Sequence, residues 1–199
     1  MEIRKICVFC GSSMGKNSAY RTAAENFADV LRHYKIDLVY GGANVGLMKV
    51  LAEKILAGGR EVTGVMPRNL LAREVAHTGL SKLHIVDSMQ ERKLLMADIS
   101  DAFVAMPGGF GTLDELAEML TFNQLRIHDK PLGILNIHNY FDELLHFFDH
   151  NVKEGFVRPE HRNNLIVDHQ PEALIKKLLN YQPVEIEKWI RDIKIESSD

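Results

Sequence analysis

No stretch of this sequence is apolar for long enough to cross a bilayer, which excludes a helical membrane span. Nor is there a surplus of one charge. Against 24 basic residues stand 27 acidic ones, a net charge of −3, which gives no electrostatic case for binding nucleic acid or a membrane surface. The opening MEIRKICVFC is too short and too quickly charged for a signal peptide, so it reads as a first strand and a cytoplasmic protein is expected. Cysteine is scarce. Cys7 and Cys10 are the only two, and they lie three apart in an apolar strand, where side chains alternate between faces. They are poorly placed to share a metal or a disulfide, and two buried thiols are expected.

Also missing are linkers, internal repeats and low-complexity segments. The chain of 199 residues, 46% of them hydrophobic, is therefore expected to form one domain over 1–182 around a full core. Residues 183–199, ending KIESSD, form a charged extension expected as a short helix and a loose tail.

What is present is a regular alternation. Short β-branched runs at 5–10, 37–40, 61–66, 82–87, 102–106, 131–136 and 164–167 read as strands. Between them, amphipathic stretches at 18–34, 46–59, 88–100, 112–126, 139–155 and 171–181 read as helices, with Ser18 as an N-cap and Gly58-Gly59 as a stop. The stretch 71–80 reads as irregular. Strands this continuously apolar are buried on both faces, so the expected fold is α/β: a Rossmann-like, doubly wound parallel sheet with helices on both faces.

Ligands of such sheets bind beyond the carboxyl ends of the strands. Three small-residue loops are expected there, each opening a helix: GSSMG (11–15), GGANVG (41–46) and PGGFG (107–111). Glycine lets backbone approach a ligand closely, and a helix N-terminus offers unpaired N–H groups and partial positive charge. Gly11, Ser12, Gly42, Gly109 and Gly111 thus become candidate contacts for a phosphorylated ligand such as a nucleotide. The familiar motifs do not account for them. Neither early loop is G-x-G-x-x-G, which disfavours nicotinamide chemistry, and GSSMGKNS is one residue short of a P-loop.

Glu115 follows the third loop directly. Thr112 and Glu115 also fit a capping box, and Ser88 with Glu91 fits another, for which the capping role is the expected one. Arg92 and Lys93 sit one turn into a helix that starts at a strand's carboxyl end; such a pair is commonly a solvated face, but this location makes both candidates for ligand contact. HFFDH places His146 and His150 one turn apart, a zinc-compatible spacing, yet no third ligand and no H-E-x-x-H accompany them. Serine hydrolysis lacks its G-x-S-x-G elbow. A non-catalytic nucleotide-binding module uses the glycine loops equally well, but has no need of an Arg92–Glu115 pair.

PGGFGTLDE (107–115) is similar to the P-G-G-x-G-T-x-x-E signature of the LOG ("lonely guy") family, the cytokinin riboside 5′-monophosphate phosphoribohydrolases. CGSS, VYGGANVGLM, GVMPRNL and MQERKLLM fall in that family's order, so the resemblance spans about residues 3–181. It implies a homodimer that cleaves the N-glycosidic bond of an adenosine 5′-monophosphate, releasing an adenine, often N6-modified, and ribose 5-phosphate. It implies Arg92 and Glu115 as catalytic residues. Substrate contacts are implied at Glu74, Arg92, Lys93, the run from Gly109 through Phe110, Gly111 and Thr112 to Glu115, and Thr121. No metal or organic cofactor is implied. Gln90 stands where the family often has His, and Ala43 and Lys49 replace common glycines; these departures bear on the adenine side and on loop shape. Relatives have carried the label lysine decarboxylase, but no lysine here has a cofactor-anchoring context.

Overall fold

The computed structural model describes residues 2–71 and 76–183. Seven strands form one sheet: β1 (Lys5–Phe9), β2 (Asp37–Tyr40), β3 (Val62–Pro67), β4 (Lys82–Val86), β5 (Ala102–Ala105), β6 (Leu132–Leu135) and β7 (Leu165–Asp168). Their order is β4-β3-β2-β1-β5-β6-β7 and every pairing is parallel. The chain winds outward from β1 to β4, then returns to lay β5 on the other side of β1. That reversal opens a crevice between the carboxyl ends of β1 and β5, where an open α/β sheet accepts ligands.

The helices are α1 (Ser18–His33), α2 (Gly46–Ala57), α3 (Met89–Asp98), α4 (Phe110–Gln124), α5 (Asp142–Lys153), the short α6 (Pro159–Asn163) and α7 (Pro171–Leu179). One core packs Ile6, Val8, Leu38 and Val104 against α1, α2 and α7; the other packs Phe9, Val39, Phe103 and Ile134 against α3, α4 and α5. Cys10 belongs to the first and Cys7 to the second, so the two thiols are free, buried and on opposite faces of the sheet.

Local departures from the sequence pattern have physical causes. The cap of α1 is Asn17, whose side chain accepts from Ala19 N at 2.9 Å, rather than Ser18, which is already helical. α4 starts at Phe110 with Gly109 as its cap, two residues early, so Thr112 is helical and the capping box it would form with Glu115 does not exist. By contrast Ser88 does cap α3, accepting from Glu91 N at 3.1 Å, while Glu91 turns back to Asp87 N at 2.8 Å. α5 starts late because His138 and Asn139 are left-handed, with φ of 51° and 57°. The expected helix and tail at the C-terminus and the residue Glu74 lie outside the described residues, as do 72–75 generally. Among the described residues, no helix is long and apolar enough to cross a membrane.

Candidate active site

The crevice is knitted by backbone bonds between loops. Gly11 N donates to Pro107 O at 3.0 Å, and Leu47 N donates to Gly11 O at 3.1 Å. Gly46, at φ +55°, lies so close to the β1 loop that a Cβ there would stand 2.3 Å from the Ser12 carbonyl carbon. The loops after β1, β2 and β5 are therefore one joined surface.

Two helices bring side chains to it. From α3 comes Arg92, whose Nε donates to Val65 O at 3.2 Å and whose Nη1 lies 3.8 Å from Met89 Sδ. From α4 comes Glu115. Arg92 Nη2 and Glu115 Oε1 are 3.5 Å apart, and each side chain is only 10% exposed. Both lie in a cavity of about 190 Å³. Its remaining walls are the backbone of Gly11, Ser12 and Gly41, the N-terminal turn of α4 from Gly109 to Thr112, and an apolar floor of Val8, Cys10 and Met48.

That turn has the donors that an anion would need. The first hydrogen bond within α4 runs from Leu113 N to Gly109 O at 3.2 Å, so the N–H groups of Phe110, Gly111 and Thr112 precede the helical ladder. They carry the positive end of the helix dipole, and α4 has 15 residues to supply it. A Cβ on Gly109 or Gly111 would meet nothing within 4 Å, so neither glycine relieves crowding inside the protein. Behind Gly11 and Gly109 lies a second hollow of about 180 Å³, walled by Ser13, Met14, Leu47, Tyr20 and Tyr140.

Cys10 borders the cavity, but burial raises its thiol far above the normal range and the charge of Glu115 adds to the shift. Cys7 is raised in the same way. Neither thiol is therefore available as a thiolate nucleophile.

The structure thus brings Gly11, Ser12, Arg92, Gly109, Phe110, Gly111, Thr112 and Glu115 to one cavity. It places three other expected contacts elsewhere. Gly42, at φ +80°, turns away, its carbonyl accepting from His77 N at 3.0 Å, and the wall is Gly41 instead. Lys93 reaches from α3 to the acids of α4. Thr121 donates its hydroxyl to Ala117 O at 2.8 Å and faces a separate hollow shared with α5 and α6. Gly41, Met48 and Cys10 were not expected from the sequence; the loop containing Gly41 carried the signal.

Other candidates fall away on geometry. A larger cleft, about 530 Å³, lies beside α1 and the turn at Ile137–Asn139, and no acid, Lys or Arg lines it. Asp149 of HFFDH pairs with Arg162 at 2.8 Å, and among the described residues no group of three acids, histidines or cysteines could hold a metal.

A buried carboxylate beside a guanidinium, one turn from a helix N-terminus, can separate charge in a small substrate. The carboxylate faces developing positive charge and the guanidinium faces developing negative charge.

Sequence and structure comparisons agree with this architecture. Residues 48–178 match the family model described as "Possible lysine decarboxylase". The chain is 46% identical over 195 residues to rice (Oryza sativa subsp. japonica) "Probable cytokinin riboside 5'-monophosphate phosphoribohydrolase LOGL2", covering 98% of this chain and 80% of the rice protein. It is 46% identical over 182 residues to Arabidopsis thaliana "Cytokinin riboside 5'-monophosphate phosphoribohydrolase LOG3", covering 92% of this chain and 85% of the relative. Among solved structures, the molybdenum cofactor carrier protein of Chlamydomonas reinhardtii superposes with a TM-score of 0.68 at 18% identity, covering 90% of this chain and 100% of that one. At that identity the likeness is one of fold.

Proposed function

This chain belongs to the LOG family, whose relatives are named as phosphoribohydrolases, and from that premise we propose that it hydrolyses the N-glycosidic bond of adenosine 5′-monophosphates, N6-modified ones included, as in cytokinin activation. Water adds its hydroxyl to the anomeric carbon and its proton to the departing base, giving free adenine and ribose 5-phosphate. The observation that carries the proposal is the Arg92–Glu115 pair set in one cavity with the open N-terminus of α4.

In this reading the N–H groups of Gly109, Gly111 and Thr112 hold the 5′-phosphate, and Gly11 and Ser12 close the loop over it. Glu115, one turn further along α4, faces the ribose. Its carboxylate stabilises the cation that grows on the sugar and positions or deprotonates water. Arg92 holds the ribose or balances charge on the leaving base; a fixed group of this kind contributes about 3 kcal/mol to a transition state. Phosphate binding orients the scissile bond. The cavity of about 190 Å³ is smaller than the pockets of about 300 Å³ and more that enclose whole ligands. It therefore seats the ribose phosphate and leaves the base outside it.

Despite the description attached to the family model, decarboxylation of lysine finds no support. Among the described residues that line the cavity there is no lysine to anchor an aldehyde cofactor.

The proposal includes a homodimer and a cytoplasmic location. Leu94 and Phe110, on the two helices that carry Arg92 and Glu115, are 54% and 91% exposed, apolar surface of a kind that a second copy covers. Light scattering of the purified protein tests the dimer. The activity is tested by chromatography of the protein with AMP and with N6-isopentenyl-AMP, following free base. Release of base from neither substrate, with nucleotide still bound, would replace an enzyme by a binding module.

A further inference from the structure

We infer that Lys93 is a positioning residue: it straps α3 to α4 through Asp114 and Glu118, and so sets the distance between Arg92 and Glu115 without itself meeting the nucleotide. This rests on the phosphoribohydrolase reading and assigns within it a role different from the substrate contact that the family resemblance implies.

Lys93 Nζ lies 3.1 Å and 3.3 Å from the two carboxylate oxygens of Asp114 and 3.2 Å from Glu118 Oε1. Asp114 and Glu118 are one helical turn apart, so the ammonium spans one face of α4. An ammonium has three donors and no acceptor, and these carboxylates engage it fully. Glu118 depends on the arrangement: its other oxygen, Oε2, is buried with no hydrogen-bond partner among the described residues. Withdrawing Lys93 would leave a largely buried carboxylate uncompensated. Burial works against the charge on Lys93, yet the two acids outweigh it and hold the lysine above its ordinary range.

Direction matters as much as distance. Successive residues of a helix point about 100° apart, so Arg92 enters the cavity while Lys93 turns toward α4. The same offset separates Glu115 from Asp114. Two adjacent rungs therefore join α3 and α4: Arg92–Glu115 inside the cavity and Lys93–Asp114/Glu118 beside it. Toward the sheet α3 is held by Met96 and Ala97 in the core, by Leu95 packed beside them, and by Lys130 Nζ, which donates to Ala97 O at 2.7 Å. Toward α4 the outer rung adds its ion pairs to the inner one.

The test compares wild type with K93M, K93R, the double variant D114N/E118Q and the triple variant K93M/D114N/E118Q. Base release from AMP gives kcat and KM, calorimetry gives the AMP Kd, and circular dichroism verifies folding. K93M is expected to lower kcat about tenfold, the scale of a sub-ångström misplacement, with KM and Kd within about threefold of wild type. K93R should recover most of that loss, because a guanidinium also bridges two carboxylates. D114N/E118Q should lower kcat in the same way, and the triple variant should be no worse than either parent, since all break one unit. An AMP Kd weakened about tenfold or more in K93M but not in D114N/E118Q would overturn the inference and make Lys93 a ligand contact. Unchanged kcat in K93M would overturn it too. Wild-type protein that releases no base would defeat the phosphoribohydrolase reading alone, and the calorimetric arm would still decide between strap and contact.

Discussion

Gly41 and Arg92 occupy one another's space: a Cβ on Gly41 would stand 2.0 Å from Nη2 of Arg92. The glycine at the end of β2 is thus the bed on which the guanidinium lies. Because the opposing atom is the tip of a flexible side chain, Gly41→Ala should fold, with Arg92 pushed off its bonds to Val65 O and Glu115. The expected result is a loss of kcat of about 100-fold with a melting temperature within a few degrees of wild type. Equal activity in the two proteins would show that the position of Arg92 is immaterial.

Glu115→Gln keeps the volume and removes the charge. Turnover of AMP should fall by about three orders of magnitude while calorimetric affinity stays within about threefold, because the phosphate is held by backbone. Wild-type turnover in this variant would remove Glu115 from the mechanism.

The space in front of α4 gives a separation of stability from binding. Gly111→Ala adds a methyl group where nothing lies within 4 Å. In a helical turn alanine is favoured over glycine by up to about 1 kcal/mol, so the variant should melt slightly higher than wild type. The same methyl group intrudes on the place assigned to phosphate, and KM should rise about tenfold, the equivalent of about 1.4 kcal/mol of binding. A KM unchanged by this methyl would mean that the phosphate binds elsewhere.

A pH dependence of stability arises away from the cavity. His128 stacks on Phe103 with ring centroids 5.1 Å apart, and burial, aided by the charge of Lys130, lowers its pKa from the usual 6.5. The unfolded chain therefore takes up the proton more readily than the folded one. The stability contributed by neutral His128 is complete above 6.5 and is lost as pH falls below that value toward the folded pKa. Urea midpoints should decline from pH 7 to pH 5, and His128→Phe should flatten that decline even though it loses the bond from Lys130 N. An unchanged slope would place the titration on His84 or His161, which are shifted in the same direction.

Much of the fold was legible because the inner strands β1, β2, β3, β5 and β6 are buried on both faces and their apolar runs announce themselves. The order of the sheet was not, since periodicity carries no information about which strands are neighbours. Helix starts were misjudged where glycine and left-handed residues, rather than Ser or Thr, set the boundary, as at Gly109 and His138. α6 was missed because five residues offer no period, although Pro159 at its first turn was a signal. At the site, the signature points to Glu115 and the E-R-K run to Arg92, and the structure sets the two side chains 3.5 Å apart. Gly42 was preferred to Gly41 because a sequence cannot show which of two adjacent glycines faces a side chain 51 residues downstream. Lys93 follows Arg92 directly, and sequence order does not show that its ammonium meets Asp114 and Glu118.

The pairing of β1 with β5 joins Ile6 to Ala102 across more than ninety intervening residues. The cavity takes its walls from both sides of that contact, Gly11, Gly41 and Met48 before β5 and Gly109 to Glu115 after it, so it is incomplete while either half of the chain stands alone. Parallel pairing over such a separation is a late and slow event, after local helices have formed. During refolding the far-ultraviolet helix signal should return first and base-releasing activity last, and a nascent chain stays catalytically silent until β5 has been made and docked.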